Sequence, residues 1–455
     1  MRPRRQVGLT AALAIAASVS APISAFCQTA APPRELTLDD ALAMAKRVNR
    51  SLIAERAHLA QAQTNVEQAW AALFPVVTAQ GKYTRNYKNA TLDFGRLING
   101  ILMADGLTVM PMADGPDYNV TILKQNQLDA SISATMPLLA PAAYPALEAV
   151  KAGVRSSEAN YESSEASVLF SVAQTFYAAA TADEVLVTRH SSIEVDTATL
   201  DNAKTRFAAG TVTKVDVDRA ELALVRSQQA ELEARYGQAQ AYRALATLIQ
   251  MDMPFKVRVA ETSSAPGSED LDTALHLRPE LKALTFSERS ADAQRRAYGW
   301  RWAPTLSAFG KANVGNYVGF TGDRYAWSAG LQLDWTLYDG GVRDAQRHLA
   351  AAQAAEADAR AEVLTDTIRD DLINGRSFLD TKHQAVQADL RAVALAQETL
   401  ELVRSQYEAG TVTQVDLLQA QDNLVAAREA LAQAHFDVAV ADLTLRRAAG
   451  TFPPR

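Results

Sequence analysis

Hydrophobic and polar residues follow two different periods along this chain, and the period changes twice. Between residues 41 and 73 apolar side chains recur at helical spacing, and Pro75 ends that segment. From Val77 onward apolar and polar residues alternate, as they do in a strand with one apolar face. The same order of helix, proline and strand returns after residue 271, with Pro304 in the place of Pro75. The pattern therefore predicts two copies of one structural unit.

Equivalent residues of the two copies are separated by a nearly constant offset. Up to the first strand the offset is 229 residues, which matches Leu52 to Leu281 and Lys82 to Lys311. At the second strand the offset is 199 residues. The loop between the strands is therefore longer by 30 residues in the first copy, the difference between the two offsets.

The second strand of each copy has one apolar and one polar face. The alternating apolar positions are Leu128, Ala130, Ile132, Ala134 and Met136 in the first copy, and Trp327, Ala329, Leu331, Leu333, Trp335 and Leu337 in the second. About ten alternating residues are typical of a membrane-spanning β-strand. A two-sheet sandwich would alternate too, but four strands among so much helix favour the membrane interpretation. We expect hairpins at about residues 76–137 and 305–338, with interfacial aromatic residues at Tyr325, Trp327, Trp335 and Tyr338.

A long helix is predicted after each pair of strands, at about residues 142–207 and 342–407. At a rise of 1.5 Å per residue, each would be about 100 Å long. A helix of that length needs packing partners along its whole extent. Each copy also has one shorter helix before its strands and one after the long helix, the latter at residues 215–249 in the first copy. Placed end to end, the two shorter helices would cover the long helix.

Both long helices end in almost the same sequence, AGTVTKVDV from Ala209 and AGTVTQVDL from Ala409. Glycine after a helix favours a left-handed cap, and threonine favours the start of the next helix. The motif therefore predicts helical hairpin tips at residues 207–216 and 407–416. The residues expected at the exposed tips are Gly210, Thr211, Val212, Thr213, Val215, Gly410, Thr411, Val412, Thr413 and Val415.

Three aspartates follow the tips: Asp216, Asp218 and Asp416. Acidic residues in the first turns of a helix often serve only to offset the helix dipole. Repeated around the narrow end of an oligomeric channel, they would instead form a cation-attracting aperture. Both interpretations remain open at the level of sequence.

The chain begins with a basic segment and an uncharged, alanine-rich run over residues 8–21. This order is typical of a secretory signal peptide, which we place at residues 1–27. Cys27 is the single cysteine and a candidate for lipid attachment, although the bulky Phe26 before it argues against acylation. After the signal peptide no apolar run approaches the roughly 20 residues of a membrane-spanning helix.

Charge and motifs exclude several classes of function. The formal net charge is −7, and it becomes −10 once the three arginines of the signal peptide are removed, so no nucleic-acid partner is expected. No nucleophile-elbow, P-loop or dinucleotide-binding pattern occurs, which argues against an enzyme or a bound cofactor. We expect no metal site, because metal-ligand spacing is absent among the six histidines, His58, His190, His276, His348, His383 and His435.

The domain organisation follows from the duplication. The first repeat spans residues 28–250 and the second residues 271–449. Residues 251–270 are expected to link them, and residues 450–455 to form a short, loose tail. Four strands cannot close around a pore, and lipid does not tolerate unpaired strand edges, so several chains must share one barrel.

These features resemble the TolC-like outer membrane efflux protein family over nearly the whole mature chain. The resemblance is carried by the Leu-Thr-Leu-Asp-Asp start, both helix-proline-strand junctions, the Trp-Thr-Leu-Tyr-Asp-Gly-Gly segment from Trp335 and the twin tips. The first copy departs from the family at residues 137–141, where the Asp-Gly-Gly turn is missing. The resemblance implies a mainly α fold with four strands per chain, assembled as a trimer with a 12-stranded outer-membrane barrel and a periplasmic α-helical barrel.

The resemblance also implies a function. A periplasmic adaptor would dock on the tips, and an inner-membrane pump of the RND, ABC or MFS type would supply the energy. The leading hypothesis is the exit duct of a tripartite efflux system for small toxic compounds. A conduit for type I protein secretion is the alternative within that class, and a periplasmic helical scaffold is the alternative from a different class.

Overall fold

The computed structural model describes residues 34–93, 119–259, 270–316 and 323–453. The expected signal peptide and Cys27 lie outside these residues. The helices are α1 (Leu38–Val48), α2 (Arg50–Ala71), α3 (Ala143–Ala208), α4 (Lys214–Ile249), α5 (Leu271–Leu277), α6 (Pro279–Trp300), α7 (Val342–Glu408) and α8 (Gln414–Ala448). The strands are β1 (Arg34–Leu36), β2 (Val76–Arg85), β3 (Ala90–Asp93), β4 (Asn119–Leu123), β5 (Asn126–Leu139), β6 (Phe255–Val257), β7 (Thr305–Gly315) and β8 (Tyr325–Asp334).

The two repeats join their hairpins in one antiparallel sheet with the strand order β2-β5-β7-β8. The contact between repeats is the β5-β7 pair, in which Ile132 lies opposite Ala312. Since side chains opposite each other share a face, the alternation in each strand adds up across the sheet. One row of the apolar face consists of Ala79, Ile132, Ala312 and Trp327. The neighbouring row, on the polar face, consists of Thr78, Ser133, Lys311 and Ser328.

The apolar face is uncovered in the single chain. Ile132 is 59% exposed, Leu331 67% and Trp327 70%. Exposed apolar side chains aligned over four strands form a continuous surface, unlike the scattered apolar residues of an ordinary protein surface. The sheet therefore requires an apolar environment that the described residues of the chain do not supply.

The last strand is shorter than expected. It ends at Asp334, which lies opposite Thr305, so Trp335 and Tyr338 belong to the connection that follows. The physical reason lies in the partner strand: Pro304 precedes Thr305 and has no N–H to continue the ladder. The Trp335 indole N–H instead donates to the Trp302 carbonyl at 3.1 Å.

The long helices have the predicted lengths, 66 residues in α3 and 67 in α7. Helix α4 returns along α3 from the first tip, and α8 returns along α7 from the second. Toward the sheet, α6 packs between α3 and α7, and α2 packs on α3. Alanine is the commonest buried residue of the helices and lets the axes approach closely. The structure thus confirms a mainly α, internally duplicated fold with a small β part.

The main hydrophobic cluster lies near the middle of the long helices. Leu36, Phe176, Leu245 and Phe255 are each at most 5% exposed and belong to it. It forms where β1 pairs in parallel with β6, so that the start of the described chain meets the segment between the repeats. The expected linker therefore contains a short strand with a buried side chain. Residues 260–269 of that linker lie outside the described residues.

The C-terminal tail differs from the loose segment we expected. Phe452 is 6% exposed, and its ring meets the Phe170 ring edge-on at 6.2 Å between centroids. Burial of an aromatic side chain orders the segment around it. Within the described residues, no helix is both long and apolar enough to cross a membrane.

Packing between α7 and α8 should be sensitive to the size of residue 375. A Cβ on Gly375 would lie 3.1 Å from Cδ1 and 3.6 Å from Cα of Leu445. We expect Gly375→Val to lower stability by about 1–3 kcal/mol through overpacking. Gly237→Ala is the matched control, because nothing lies within 4 Å of its Cβ position. It should raise stability by about 0.5–1 kcal/mol through helix propensity. The thermal unfolding midpoint measures both, and equal midpoints for Gly375→Val and wild type would contradict the expectation.

Candidate functional site

The two tips have the same backbone turn, which depends on a left-handed glycine. The φ angle is 74° at Gly210 and 77° at Gly410. In the first tip the Gly210 N–H donates to the Phe207 carbonyl and the Thr211 N–H donates to the Arg206 carbonyl, both at 2.9 Å. The second tip repeats these bonds at 3.1 and 3.0 Å. Glycine adopts this conformation without the steric penalty of a Cβ, which explains its place in both motifs.

A capping box starts the helix after each tip. The Asp216 carboxylate accepts hydrogen bonds from the Thr213 N–H at 3.0 Å and from the Thr213 hydroxyl at 2.7 Å. In return the Asp216 N–H donates to the Thr213 hydroxyl oxygen at 3.4 Å. Thr413 and Asp416 form the same box, with distances of 2.9, 2.7 and 3.4 Å. These bonds satisfy backbone N–H groups that a helix start otherwise leaves unpaired.

The capping bonds account for the two aspartates nearest the tips. The side-chain hydrogen bond from Thr213, followed by the backbone hydrogen bond, lowers the pKa of Asp216. The pKa of Asp416 is lowered in the same way by Thr413. Asp218 has a different surrounding: it is exposed and pairs with Lys214 at 2.5 Å. The single chain thus assigns two of the three aspartates to helix capping, and an aperture ring of several chains stays a prediction.

The candidate docking residues at the tips form a small surface over a packed base, exposed except for the half-buried Val212 and Val412. Gly210, Thr211 and Thr213 are exposed, as are their counterparts in the second tip. Val215 is 55% exposed and Val415 46%. The base beneath the first tip is a cluster of buried apolar side chains, Leu200, Ala203, Val217 and Ala220. Exposed small residues on a rigid base suit the close approach of another helical element.

The structure also brings the two tips together, through a residue that sequence reasoning missed. Arg206 Nη1 donates to the Tyr407 carbonyl at 3.1 Å, and its Nη2 donates to the Glu408 carbonyl at 3.0 Å. Its guanidinium also lies over the Tyr407 ring, 4.7 Å from the centroid. The arginine therefore caps the C-terminus of α7 from the end of α3. Its equivalent in the second copy is Gln406. This difference between two similar motifs was the sequence feature that could have pointed to a special role of Arg206.

At the opposite end of α7, an Asp-Gly-Gly turn connects the sheet to the helix. Asp339 accepts from the Gly341 N–H at 3.1 Å and from the Arg343 Nε at 2.8 Å. Arg343 is buried and lies over the Trp302 ring at 3.8 Å. In the first copy β5 continues to Leu139 and α3 begins without a side-chain cap. The missing turn of the first copy therefore does change the strand-to-helix connection.

The architecture combines three features. They are a sheet with an uncovered apolar face, two helical hairpins whose long helices have 66 and 67 residues, and a glycine turn at each hairpin tip. The model of one protein family, described as outer membrane efflux protein, matches residues 41–249 and 271–451. The chain belongs to this family.

Individual efflux proteins and related chains are similar at moderate identity. Outer membrane efflux protein BepC of Brucella suis is 29% identical over 54% of this chain and 55% of its own length. Protein CyaE of Bordetella pertussis is 30% identical over 62% of each chain. The matches thus span less than two thirds of either relative. The crystal structure of the outer membrane protein VceC from Vibrio cholerae has a TM-score of 0.73 at 18% identity, covering 91% of this chain and 96% of that one. This likeness shows a shared fold.

Membership in the efflux protein family locates the chain in the outer membrane, with a large periplasmic helical part. The sheet is the part with an uncovered apolar face, and the tips lie at the far end of helices about 100 Å long. The tips are therefore the part of this efflux protein that reaches farthest from the membrane.

Acidification should loosen both tips. Since hydrogen bonds hold the folded-state pKa of Asp216 and Asp416 below the ordinary aspartate value, the capping boxes stabilise the helix starts fully above that ordinary value. The stabilisation is lost as the pH falls through the lowered pKa. Amide hydrogen exchange at residues 213–217 and 413–417, corrected for the intrinsic pH effect, should show less protection at about pH 3 than at about pH 7.

The variant Asp216→Asn with Asp416→Asn is the control for that measurement. It should show reduced protection at both pH values and a much smaller change between them. Tip protection in the wild type that stays constant across the two pH values would contradict the role of these carboxylates.

Proposed function

We propose that this efflux protein is the outer-membrane exit duct of a tripartite system. It conducts small toxic compounds passively, and an inner-membrane pump of the RND, ABC or MFS type drives the export through a periplasmic adaptor. The observation that carries the proposal is the continuous apolar face on four strands attached to helical hairpins about 100 Å long.

The sheet supports assembly as a homotrimer. Strands β2 and β8 are the outer strands of the four-stranded order, so each has one edge without a partner in that sheet. Lipid offers no hydrogen bonds to such edges, and only closure removes them. Pairing β8 of one chain with β2 of the next in three chains gives a closed barrel of 12 strands. The apolar face then meets lipid and the polar face lines the pore.

The helices support the same assembly. Large apolar side chains stay exposed along α3, α4 and α7, including Val187 at 69%, Leu232 at 61% and Val363 at 67%. Helices of this length are stabilised by packing partners rather than by propensity alone. Neighbouring chains would cover these side chains and close the hairpins into a periplasmic α-helical barrel.

The tips are the proposed docking site for the adaptor. They lie at the end opposite the sheet, their small residues are exposed, and Arg206 fixes one tip against the other. A hairpin of the partner could approach the glycines closely, because nothing lies within 4 Å of their Cβ positions. The three tip aspartates would surround the periplasmic opening.

The alternatives use the same features differently. A type I protein secretion conduit has the same duct and differs in its cargo and pump. A periplasmic scaffold is disfavoured, because it has no use for Trp327 and Leu331 on an uncovered apolar face.

The duct itself can be tested on the purified protein. We expect detergent-extracted material to form trimers that dissociate on heating and to open channels in a planar lipid bilayer. The reason is that closure of the sheet and coverage of the apolar face both require neighbouring chains. Water-soluble monomers without channel activity would instead support the scaffold.

Adaptor docking can be tested at the tip glycines. We expect Gly210→Trp with Gly410→Trp to abolish export while trimers reach the outer membrane, because the bulk blocks the approaching hairpin. Gly210→Asn with Gly410→Asn is the matched control, since asparagine tolerates the left-handed conformation and adds little bulk. Drug susceptibility at equal trimer level is the readout. Normal export by the tryptophan variant, or equal loss in both variants, would contradict docking at this surface.

A further inference from the structure

The polar face of the sheet carries lysines at one repeated position. Lys82 and Lys311 occupy the same place in the first strand of the two repeats, and both side chains are exposed. Their immediate neighbours differ. Lys82 lies opposite Asp129 in β5, whereas Lys311 lies opposite Ser328 in β8 and Ser133 in β5. The second repeat thus keeps the lysine without the acidic residue that faces it in the first.

Acidic residues near Lys311 line the same cavity but do not lie opposite it in the strand pairing. A shallow cavity of about 390 Å³ on this face is lined by both lysines together with polar and charged residues of the strand ends, among them Asp129, Asn313, Asp323 and Arg324. No ion pair is formed by either lysine within the described residues. Three basic side chains therefore face two acidic ones around this cavity.

We infer that the pore of the barrel carries two rings of three lysines, four residues apart along β5, and that the ring of Lys311, which no aspartate faces, favours anions. The inference rests on the proposed trimeric barrel, in which the polar face lines the pore. Rings of basic side chains select anions in channels, and low-dielectric walls strengthen the field of charges in a pore. Small anionic compounds are accordingly the class of cargo that the barrel end of the duct admits most readily, in contrast to the cation-attracting aperture expected at the tips.

Salt decides how far the field of the ring extends. The Debye length is about 8 Å at 0.15 M salt and about 30 Å at 0.01 M. In a wide pore the lysines therefore act on ions near the wall at high salt and on the whole cross-section at low salt. The anion preference is expected to increase as the salt concentration falls.

The repeats themselves provide the variants for a test. Lys311→Gln removes the unbalanced charge, and Ser328→Asp gives the second repeat the acidic residue of the first. Asp129→Ser gives the first repeat the serine of the second. Lys256→Gln, in the exposed part of β6, removes the same charge outside the sheet and is the matched control.

The measurement is the reversal potential of purified trimers in a planar bilayer under a potassium chloride gradient at low salt. We expect Lys311→Gln and Ser328→Asp to lower the chloride-to-potassium permeability ratio by about two-fold or more, and Asp129→Ser to raise it. Lys256→Gln should leave the ratio unchanged. Conducting channels with the same ratio in all variants would overturn the lysine ring and leave the duct intact. Wild-type protein without channels would overturn the proposed function and this inference with it.

Discussion

The unpaired edges of a four-stranded sheet are the constraint on which the rest of this structure depends. Strands β2 and β8 each have one edge without a partner in the four-stranded sheet, and one face of that sheet is apolar and uncovered. The described part of a single chain satisfies neither condition, because it supplies no further strand to the sheet and no apolar layer over it. The proposed oligomer and its contact with lipid are therefore both argued from the sheet, independently of the cargo.

The long helices that continue from the sheet are about 100 Å long and also need packing partners along their length. A sheet shared by several chains fixes where each pair of long helices begins, and the helices then have to pack along their length against their own repeat and against neighbours. Alanine at the buried positions of α3 and α7 keeps the axes close, and the large side chains left exposed require further partners. The tips, held by Arg206 in one chain, end this continuous packing.

Duplication produced two copies of one backbone whose electrostatics have since diverged. The tip turns, their glycines and their capping boxes agree closely between the repeats. The charges do not: Arg206 is matched by Gln406, Lys214 by Gln414 and Asp129 by Ser328. Backbone geometry is restricted by hydrogen bonding and sterics, whereas exposed polar positions can change at little cost to folding. The differences between the repeats therefore mark positions that the backbone geometry does not restrict.

The sequence by itself determined the features that depend on neighbouring residues. Helix lengths followed from periodicity, the tips from glycine and threonine, and the two faces of each strand from strict alternation, because each is set by interactions within a few residues. The duplication then extended every such prediction to the second copy. Four strands and long helices were consequently predictable without any tertiary information.

Only the tertiary structure decided what depends on contacts between distant residues. Three such contacts are the parallel pairing of β1 with β6, the packing of Phe452 on Phe170 and the hydrogen bond from Arg206 to Tyr407. The end of β8 at Asp334 likewise depends on its partner strand. No local pattern specifies such partners, since a short strand, an aromatic tail or an arginine near a helix end has many possible contacts. Which contact forms is settled only when these distant segments pack together.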